Sequence, residues 1–191
     1  MIHYLRYLTS LNLINLANDT VANTLLPSGF ERLFKWRSFN DGFEEAKASK
    51  KPILLFIYKD LCPACRKLKQ KFANCMRLMD LSDRFVMIKV ELNGQQILYE
   101  KKFQPDGKYV PRILFYTADG DFIEEAYNKH KTADREHKFF YANPSQIVET
   151  MLYVLKQYSN EPLPVVFDSE QSLKLEVCDM DDDVIIPTLL H

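Results

Sequence analysis

A continuous apolar run followed closely by two cysteines constrains the fold of this chain more than any other feature. The run PILLFIY, residues 52–58, has the length of a strand, and unbroken apolar sequence is typical of a central strand covered on both faces. Cys62 and Cys65 follow, and from Pro63 to Met79 there is no further proline and no glycine. Apolar residues recur there at helical spacing. We therefore predict a buried strand, a short loop that ends at Cys62, and one amphipathic helix over 63–79.

The remaining pattern predicts a sheet with helices on its flanks. The segment SFNDGFEEAKASKKP has Asn40 or Asp41 as a helix cap, and RFVMIKVEL has the alternation of a strand. Two further strands, Arg112–Thr117 and Phe122–Tyr127, are joined by the turn sequence ADGD, and Asn143 caps a last helix. The order helix, strand, helix, strand, strand, strand, helix indicates an α/β fold with a central mixed β-sheet flanked by helices.

Length and composition place these elements in one domain of ordinary size. The 191 residues are 47% hydrophobic and 27% charged, which is typical of a globular protein. We expect an N-terminal extension over 1–35 and a folded domain over 36–158. Residues 159–191 contain three prolines and the run DMDDD, so we expect them to form an acidic, mobile C-terminal tail.

The charge and hydropathy patterns exclude several classes of partner. A formal net charge of −1 gives no basis for binding nucleic acid or an anionic membrane. No run approaches the roughly 18 apolar residues of a membrane-spanning helix. Polar residues interrupt positions 1–20, which lack the apolar core of a secretory signal, and the C-terminal VIIPTLLH carries no KDEL-type retention sequence. These signals alone leave a cytoplasmic location open.

Three roles fit two cysteines at this spacing: a thiol–disulfide site, half of a zinc site, and a pair of inert buried thiols. A zinc site needs four ligands, but Cys75 and Cys178 stand alone, and His130 and His137 lie seven residues apart in polar sequence. We therefore expect no metal and no cofactor. The context of a strand, a Cys-Pro-x-Cys motif and a helix favours the redox role over the other two.

The helix start gives the two cysteines of the motif different tasks. Unpaired backbone N–H groups and the positive end of the helix dipole stabilise a thiolate at Cys62, which predicts a pKa of roughly 3.5–7.5 in place of about 8.5. Cys65 lies one turn further on, in a more buried position. The pair then has the geometry for attack by Cys62 on a substrate sulfur, followed by resolution by Cys65.

The segment GKYVPRILF is the second stretch with a functional interpretation. In the ordinary case, Pro111 simply opens an edge strand. In the functional case, the Val110–Pro111 bond is cis and bends the chain against the two cysteines. Only about 5–6% of X–Pro bonds in folded proteins are cis, so spacing alone does not decide between the two.

Four segments together resemble a known family: KPILLFIYKDLCPACRKLKQKF, LSDRFVMIKVEL, FQPDGKYVPRILFYTADGDFI and FYANPSQIVETM. They are similar, in the same order, to the small thioredoxin-like oxidoreductases of the endoplasmic reticulum that are related to the anterior-gradient proteins. The resemblance runs from about residue 36 to residue 157.

The resemblance implies a thioredoxin-like fold and an enzyme, a protein-disulfide oxidoreductase whose partners are proteins with cysteines or disulfides. It also implies a location in the endoplasmic reticulum lumen or the secretory pathway. Cys62 would be the catalytic nucleophile and Cys65 the resolving cysteine. Val110 and Pro111, joined by a cis bond, would bind substrate, because the Val110 backbone would pair with an extended chain. Oxidation, reduction and isomerisation of disulfides all share this chemistry.

Three positions depart from the family pattern. Pro63 stands where a glycine is expected within the motif, and Leu61 stands where thioredoxin folds usually have tryptophan. Phe56 occupies the position of the buried aspartate that handles the proton of the resolving thiol in thioredoxins. The missing tryptophan and the missing aspartate support an alternative function, a thioredoxin-fold module that captures client chains, like a chaperone, with little redox turnover.

The other two cysteines have no expected part in this exchange. Cys75 lies on the apolar stripe of the predicted helix, so we expect a buried, inert thiol. Cys178 lies beside the acidic residues of the tail, which should raise its pKa.

Overall fold

The computed structural model describes residues 29–93, 96–159, 178 and 185–190. Residues 1–28 of the expected N-terminal extension and most of the expected tail lie outside the described residues. The helices and strands in chain order are α1 (Gly29–Leu33), β1 (Trp36–Arg37), α2 (Phe39–Ser49), β2 (Ile53–Tyr58), α3 (Pro63–Phe72), α4 (Met76–Ser82), β3 (Val86–Glu91), β4 (Tyr109–Val110), β5 (Arg112–Tyr116), α5 (Pro144–Tyr158) and β6 (Thr188–Leu189). Two short 3₁₀ turns, Gln96–Tyr99 and Lys101–Phe103, lie between β3 and β4.

The main sheet has four strands in the order β1-β3-β2-β5. β3 pairs in parallel with both β1 and β2, whereas β5 pairs antiparallel with β2, so the sheet is mixed. β2 lies in the interior of the sheet, and all six of its residues are buried. The predicted central strand and the predicted mixed sheet are therefore confirmed. A second, two-stranded sheet joins β4 to β6.

Helices cover both faces of the main sheet. On one face, α2 lies so close to β3 that a Cβ atom at Gly42 would overlap the side chain of Ile88. On the other face, Phe56 of β2 meets Phe72 of α3 and Phe30 of α1, with ring centroids 5.7 Å apart in both pairs. The C-terminal helix α5 packs against α3 and α4. The loop that follows β2 is thus held between a rigid strand and a helix whose apolar side is anchored in an aromatic cluster.

The core uses residues on both sides of the expected domain. Phe30 and Phe34 precede Trp36 but are buried among the aromatic side chains of α3 and β2. Cys178 and Ile185 follow residue 158 and are also buried, each with 5% of its surface exposed. Described residues outside 36–158 therefore contribute to the same hydrophobic core.

Two predicted helix boundaries were wrong. The predicted helix over 63–79 is two helices, because Cys75 has an extended backbone (φ −103°, ψ 94°) and caps α4 by accepting the Leu78 N–H at 3.4 Å. The cap of α2 is Ser38, which accepts the Asp41 N–H at 3.3 Å, and not Asn40 or Asp41. In both cases the helix begins at a side chain that accepts the backbone N–H three residues later.

The predicted strand Phe122–Tyr127 was also wrong. The turn before it is present, since Thr117 N–H donates to the Asp121 carbonyl at 2.9 Å and Gly120 has a φ of 92°. Beyond the turn, only Phe122 bridges to Tyr116 in a strand-like manner, and the chain then turns where Ala126 N–H donates to the Ile123 carbonyl. Ile123 still contacts the outer edge of β5, since its N–H donates to the Phe115 carbonyl at 2.9 Å, and further along that edge the Phe139 carbonyl accepts the Ile113 N–H at 3.0 Å.

Candidate active site

Cys62 lies at the start of α3, directly beyond the buried strand β2. It is the N-cap of the helix, with extended backbone angles, and Pro63 occupies the first turn. The Cys65 N–H donates to the sulfur of Cys62 at 3.1 Å, and the Cys62 carbonyl accepts the Arg66 N–H at 3.1 Å. Both cysteines are free thiols and both are buried. The predicted placement of the motif at a helix start is confirmed.

The environment separates the pKa values of the two thiols. A hydrogen bond from the Cys65 thiol, together with donors from Thr188 and the backbone of Cys65 and Ala64, lowers the pKa of Cys62 to about 6 against the opposing effect of burial. Burial, followed by the same hydrogen bond to Cys62, raises the pKa of Cys65 well above its ordinary value. At neutral pH the pair therefore holds one thiolate, on Cys62, and one proton, on Cys65.

The Val110–Pro111 peptide bond is cis and lies beside Cys62. The Val110 carbonyl oxygen is 3.9 Å from the Cys62 sulfur, and the Val110 side chain is buried. Of the two isomers that the sequence left open, the cis isomer is the one present. The end of β4 lies next to the start of α3.

Buried polar contacts hold the segment around this bond. The buried guanidinium of Arg112 donates to the Gly107 carbonyl at 2.9 Å. The Tyr109 hydroxyl donates to the Asp106 carboxylate at 2.8 Å and accepts the Phe139 N–H at 3.1 Å. The hydrogen bond with Phe139 ties the segment to a distant part of the chain, and the other two brace the turn before it. Together they hold the Val110 carbonyl in position beside Cys62.

Residues from the C-terminal part of the chain complete the site. β6 pairs antiparallel with β4, with Val110 opposite Thr188 and Tyr109 opposite Leu189. The Thr188 hydroxyl lies 3.2 Å from the sulfur of Cys62. Sequence reasoning missed Thr188 because it treated residues 159–191 as one tail. The available signal was the apolar run on both sides of Pro187 and Thr188, which contrasts with the acidic residues before it.

The structure places the three departures from the family pattern as follows. Phe56 is fully buried in the aromatic cluster, so an apolar ring occupies this position in the core behind α3. Leu61 is 87% exposed beside the motif and provides no aromatic surface. Pro63 starts α3. The nearby charges Asp60 and Lys69 pair with each other at 3.0 Å.

Cys75 and Cys178 form a disulfide, which overturns both expectations for these residues. Their Cα atoms are 4.5 Å apart although 103 positions separate them in sequence. Cys75 is therefore buried, as expected, but it is not a thiol, and Cys178 has no proton to titrate. The interpretation failed because a cysteine on an apolar helix face and a distant cysteine in an acidic segment carry no local signal of pairing.

Two further properties concern metals and membranes. In the part of the chain that the structure describes, no group of three or more His, Cys, Asp or Glu side chains is arranged to hold a metal ion. Among the same residues, no helix combines the length and the apolar character required to cross a bilayer.

The fold and the site together define a thioredoxin-like domain. The family model described as thioredoxin-like matches residues 35–118. This span contains β2, the two cysteines of the motif and the cis bond between Val110 and Pro111.

Within that class, the chain is homologous to the anterior gradient proteins. It is 27% identical over 127 residues to anterior gradient protein 2-B of Xenopus laevis, covering 66% of this chain and 74% of that protein. It is 26% identical over 134 residues to the anterior gradient protein 2 homolog of Homo sapiens, covering 69% and 71%. A solved structure titled DsbH oxidoreductase aligns at 25% identity with a TM-score of 0.40, over 47% of this chain and 69% of that chain. The relation to the anterior-gradient proteins expected from the sequence is confirmed.

Proposed function

We propose that this protein is a thiol–disulfide oxidoreductase that acts on cysteines of other proteins through a mixed disulfide on Cys62. The proposal rests mainly on the different pKa values of the two thiols: the pKa of Cys62 is about 6, whereas burial raises the pKa of Cys65. A thiolate is the attacking species in disulfide exchange, and a neighbouring protonated thiol can be released for the second step.

The exchange balances as follows. The Cys62 thiolate attacks one sulfur of a substrate disulfide, a Cys62–substrate disulfide forms, and the other substrate sulfur leaves as a thiolate. Loss of the hydrogen bond that the Cys65 thiol donates to the Cys62 thiolate, and transfer of the Cys65 proton to the departing thiolate, make Cys65 nucleophilic. The Cys65 thiolate then attacks the Cys62 sulfur, and the second substrate sulfur leaves as a thiolate that takes a proton from water. The substrate is thereby reduced to two thiols, and the protein holds a Cys62–Cys65 disulfide. The reverse sequence oxidises a dithiol substrate.

The proposed substrate-binding residues are Val110 and Pro111. The backbone of Val110 lies beside Cys62, and the geometry of β4 allows an extended chain to pair with it in antiparallel fashion, as β6 does. Backbone pairing of this kind recognises many sequences and positions a substrate sulfur without depending on one side chain.

A client-binding module with little turnover is the second candidate function. The observation that favours it is the buried ring of Phe56, because no carboxylate occupies that position to accept the Cys65 proton. Such a module would hold client chains at the β4 edge without covalent capture.

We also propose a location in the endoplasmic reticulum lumen or the secretory pathway. The Cys75–Cys178 disulfide supports it, since structural disulfides persist in oxidising compartments and are rare in the cytosol. The four segments quoted in the sequence analysis also resemble thioredoxin domain-containing protein 12, a small oxidoreductase of the endoplasmic reticulum.

Three versions of the full chain test the proposal: the unchanged protein, Cys62→Ser and Cys65→Ser. Each is mixed with a denatured client protein that carries disulfides, with reduced glutathione as the thiol donor. We expect turnover in the unchanged protein, none with Cys62→Ser, and accumulation of a client–Cys62 mixed disulfide with Cys65→Ser. Full turnover in the Cys62→Ser variant contradicts the proposal. Client retention that survives thiol reduction, without turnover, supports the binding module instead.

A further inference from the structure

The edge of β4 next to the two cysteines is occupied by the chain itself. β6 pairs with β4, and the Leu190 N–H donates to the Lys108 carbonyl at 2.8 Å. Hydrogen-bonded pairs alternate along an antiparallel ladder, so the next such pair after Lys108–Leu190 is Val110–Thr188. The backbone of Thr188 therefore takes the partner position on Val110 that the proposed function assigns to a substrate.

The side chain of Thr188 points to the nucleophile. Its hydroxyl oxygen lies 3.2 Å from the sulfur of Cys62 and contributes to lowering the pKa of Cys62. The Oγ of threonine and the Sγ of cysteine leave the chain at the same branch point. A cysteine at this position of a bound chain would consequently hold its sulfur in contact with the Cys62 thiolate.

Apolar residues seat the segment on both sides of Thr188. Before it, Ile185 is 5% exposed, and residues 185–188 line a groove of about 410 Å³ together with Pro63, Ala64 and Lys67 of α3. After it, Leu190 packs against the hydrophobic core, whereas Leu189 alternates to the other side of the strand and is 60% exposed. The segment therefore binds through the backbone of β4 and through apolar contacts that flank the reacting position.

We propose that residues 185–190 are an internal stand-in for the substrate, and that the site accepts extended peptides with apolar residues on both sides of their reactive cysteine. This inference rests on the proposed function. The substrate strand runs antiparallel to β4 with its cysteine at the place of Thr188, and it binds only after residues 185–190 leave. Cys62, which is 5% exposed with the segment in place, becomes accessible in the same step.

The first experiment tests, by disulfide formation, whether position 188 lies against Cys62. Thr188→Cys is introduced into the full chain in a Cys65→Ser background, and Leu189→Cys in the same background is the matched control. Oxidised glutathione first forms a glutathione–Cys62 mixed disulfide, and a thiol at position 188 displaces the glutathione to bond with Cys62. We expect peptide mapping to show a Cys62–188 disulfide in most molecules of the first variant and little in the control. Equal bridging at 188 and 189, or retained glutathione in both, overturns the inference.

The second experiment tests the substrate class and the competition. Two peptides of the sequence of residues 185–190 carry cysteine at the Thr188 position, and one of them has serine in place of each Ile and Leu. Each peptide is activated as a mixed disulfide with thionitrobenzoate, so that attack by Cys62 on the peptide sulfur releases the coloured thiolate. The proteins are Cys65→Ser with the natural segment and Cys65→Ser with Leu190→Pro, which removes the N–H that donates to the Lys108 carbonyl and keeps the Thr188 hydroxyl.

We expect the apolar peptide to react about tenfold faster than the serine peptide, because aliphatic side chains gain free energy on burial. Leu190→Pro should accelerate the apolar peptide by a similar factor, because it weakens the pairing of the internal segment with β4. Equal rates for the two peptides overturn the substrate class, and equal rates for the two proteins overturn the competition. Thermal unfolding checks that Leu190→Pro retains the fold. If Cys62 reacts with oxidised glutathione no faster than an ordinary thiol, the proposed function is refuted. In that case, the Cys62–188 disulfide experiment still shows whether residues 185–190 lie against Cys62.

Discussion

The pKa of Cys62 depends first on the thiol of Cys65, and this dependence can be tested with one pair of substitutions. Cys65→Ala removes the donor, whereas Cys65→Ser keeps a hydroxyl donor at nearly the same place. The donors that remain in Cys65→Ala are Thr188 and two backbone N–H groups, and burial continues to oppose ionisation. We therefore expect the pKa of Cys62 to rise in the alanine variant and to stay low in the serine variant.

The size of the effect follows from the strength of the lost bond. A hydrogen bond to a charged group contributes about 1.5–3 kcal/mol, which corresponds to a rise in the pKa of Cys62 of about one to two pH units. From a pKa of about 6, the thiolate fraction at pH 7 falls from roughly 90% to between about 50% and 10%. In the serine variant, the pKa should stay within about half a pH unit of the unchanged protein.

Ultraviolet titration of the thiolate in each full-length variant, with Cys62→Ser subtracted as background, measures these values. The rate of alkylation of Cys62 at pH 7 is a second readout and should fall with the thiolate fraction. If the alanine and serine variants titrate at the same pH, the donor role of Cys65 is refuted, and the backbone N–H groups of α3 account for the low pKa.

Two further outcomes are expected, the first in pH dependence and the second in core packing. The pKa of Cys62 is about 6 in the folded protein, against 9.0 for an unperturbed thiol. The free energy of unfolding of the reduced protein, relative to Cys62→Ser, should therefore increase as the pH rises from about 6 to 9 and decrease again as the pH falls. Urea unfolding at several pH values measures this difference, and a difference that is independent of pH contradicts the prediction. Gly42→Ala should destabilise the fold by about 1–3 kcal/mol, because the added methyl overlaps Ile88. Its cost should vanish in an Ile88→Ala background, and additive costs in a double-mutant cycle would refute the overlap.

The sequence predicted the parts of the fold whose cause is local. β2 is apolar throughout because it is covered on both faces, and that pattern is visible in any window of its length. The start of α3 was predictable because a proline occupies its first turn. The helix start also predicted the direction of the Cys62 pKa shift, but the largest cause is the hydrogen bond from the Cys65 thiol, which was not predicted. The substrate-binding role proposed for Val110 and Pro111 rests on the resemblance to a family, because no local pattern predicts it.

The parts that escaped prediction depend on distant residues. The oxidation of the Cys75 sulfur follows from a partner 103 positions away. β6 has two residues, too few for any periodicity, and forms only because the edge of β4 is available to it. The position of Thr188 in the site was therefore not predicted, since it depends on a pairing between two short strands that are far apart in sequence.

The Cys75–Cys178 bridge also determines how the molecule would respond to a stretching force. It closes a loop of 103 positions, or about 350 Å of extended chain, which tension applied to the two ends cannot draw out while the bridge holds. Val110 and Pro111 lie inside that loop, whereas Cys62 and Cys65 precede Cys75 and lie on the part of the chain that bears the load. Tension would thus pull the nucleophile away from the backbone that positions its substrate, so that mechanical unfolding switches off the exchange chemistry while more than half of the chain remains enclosed.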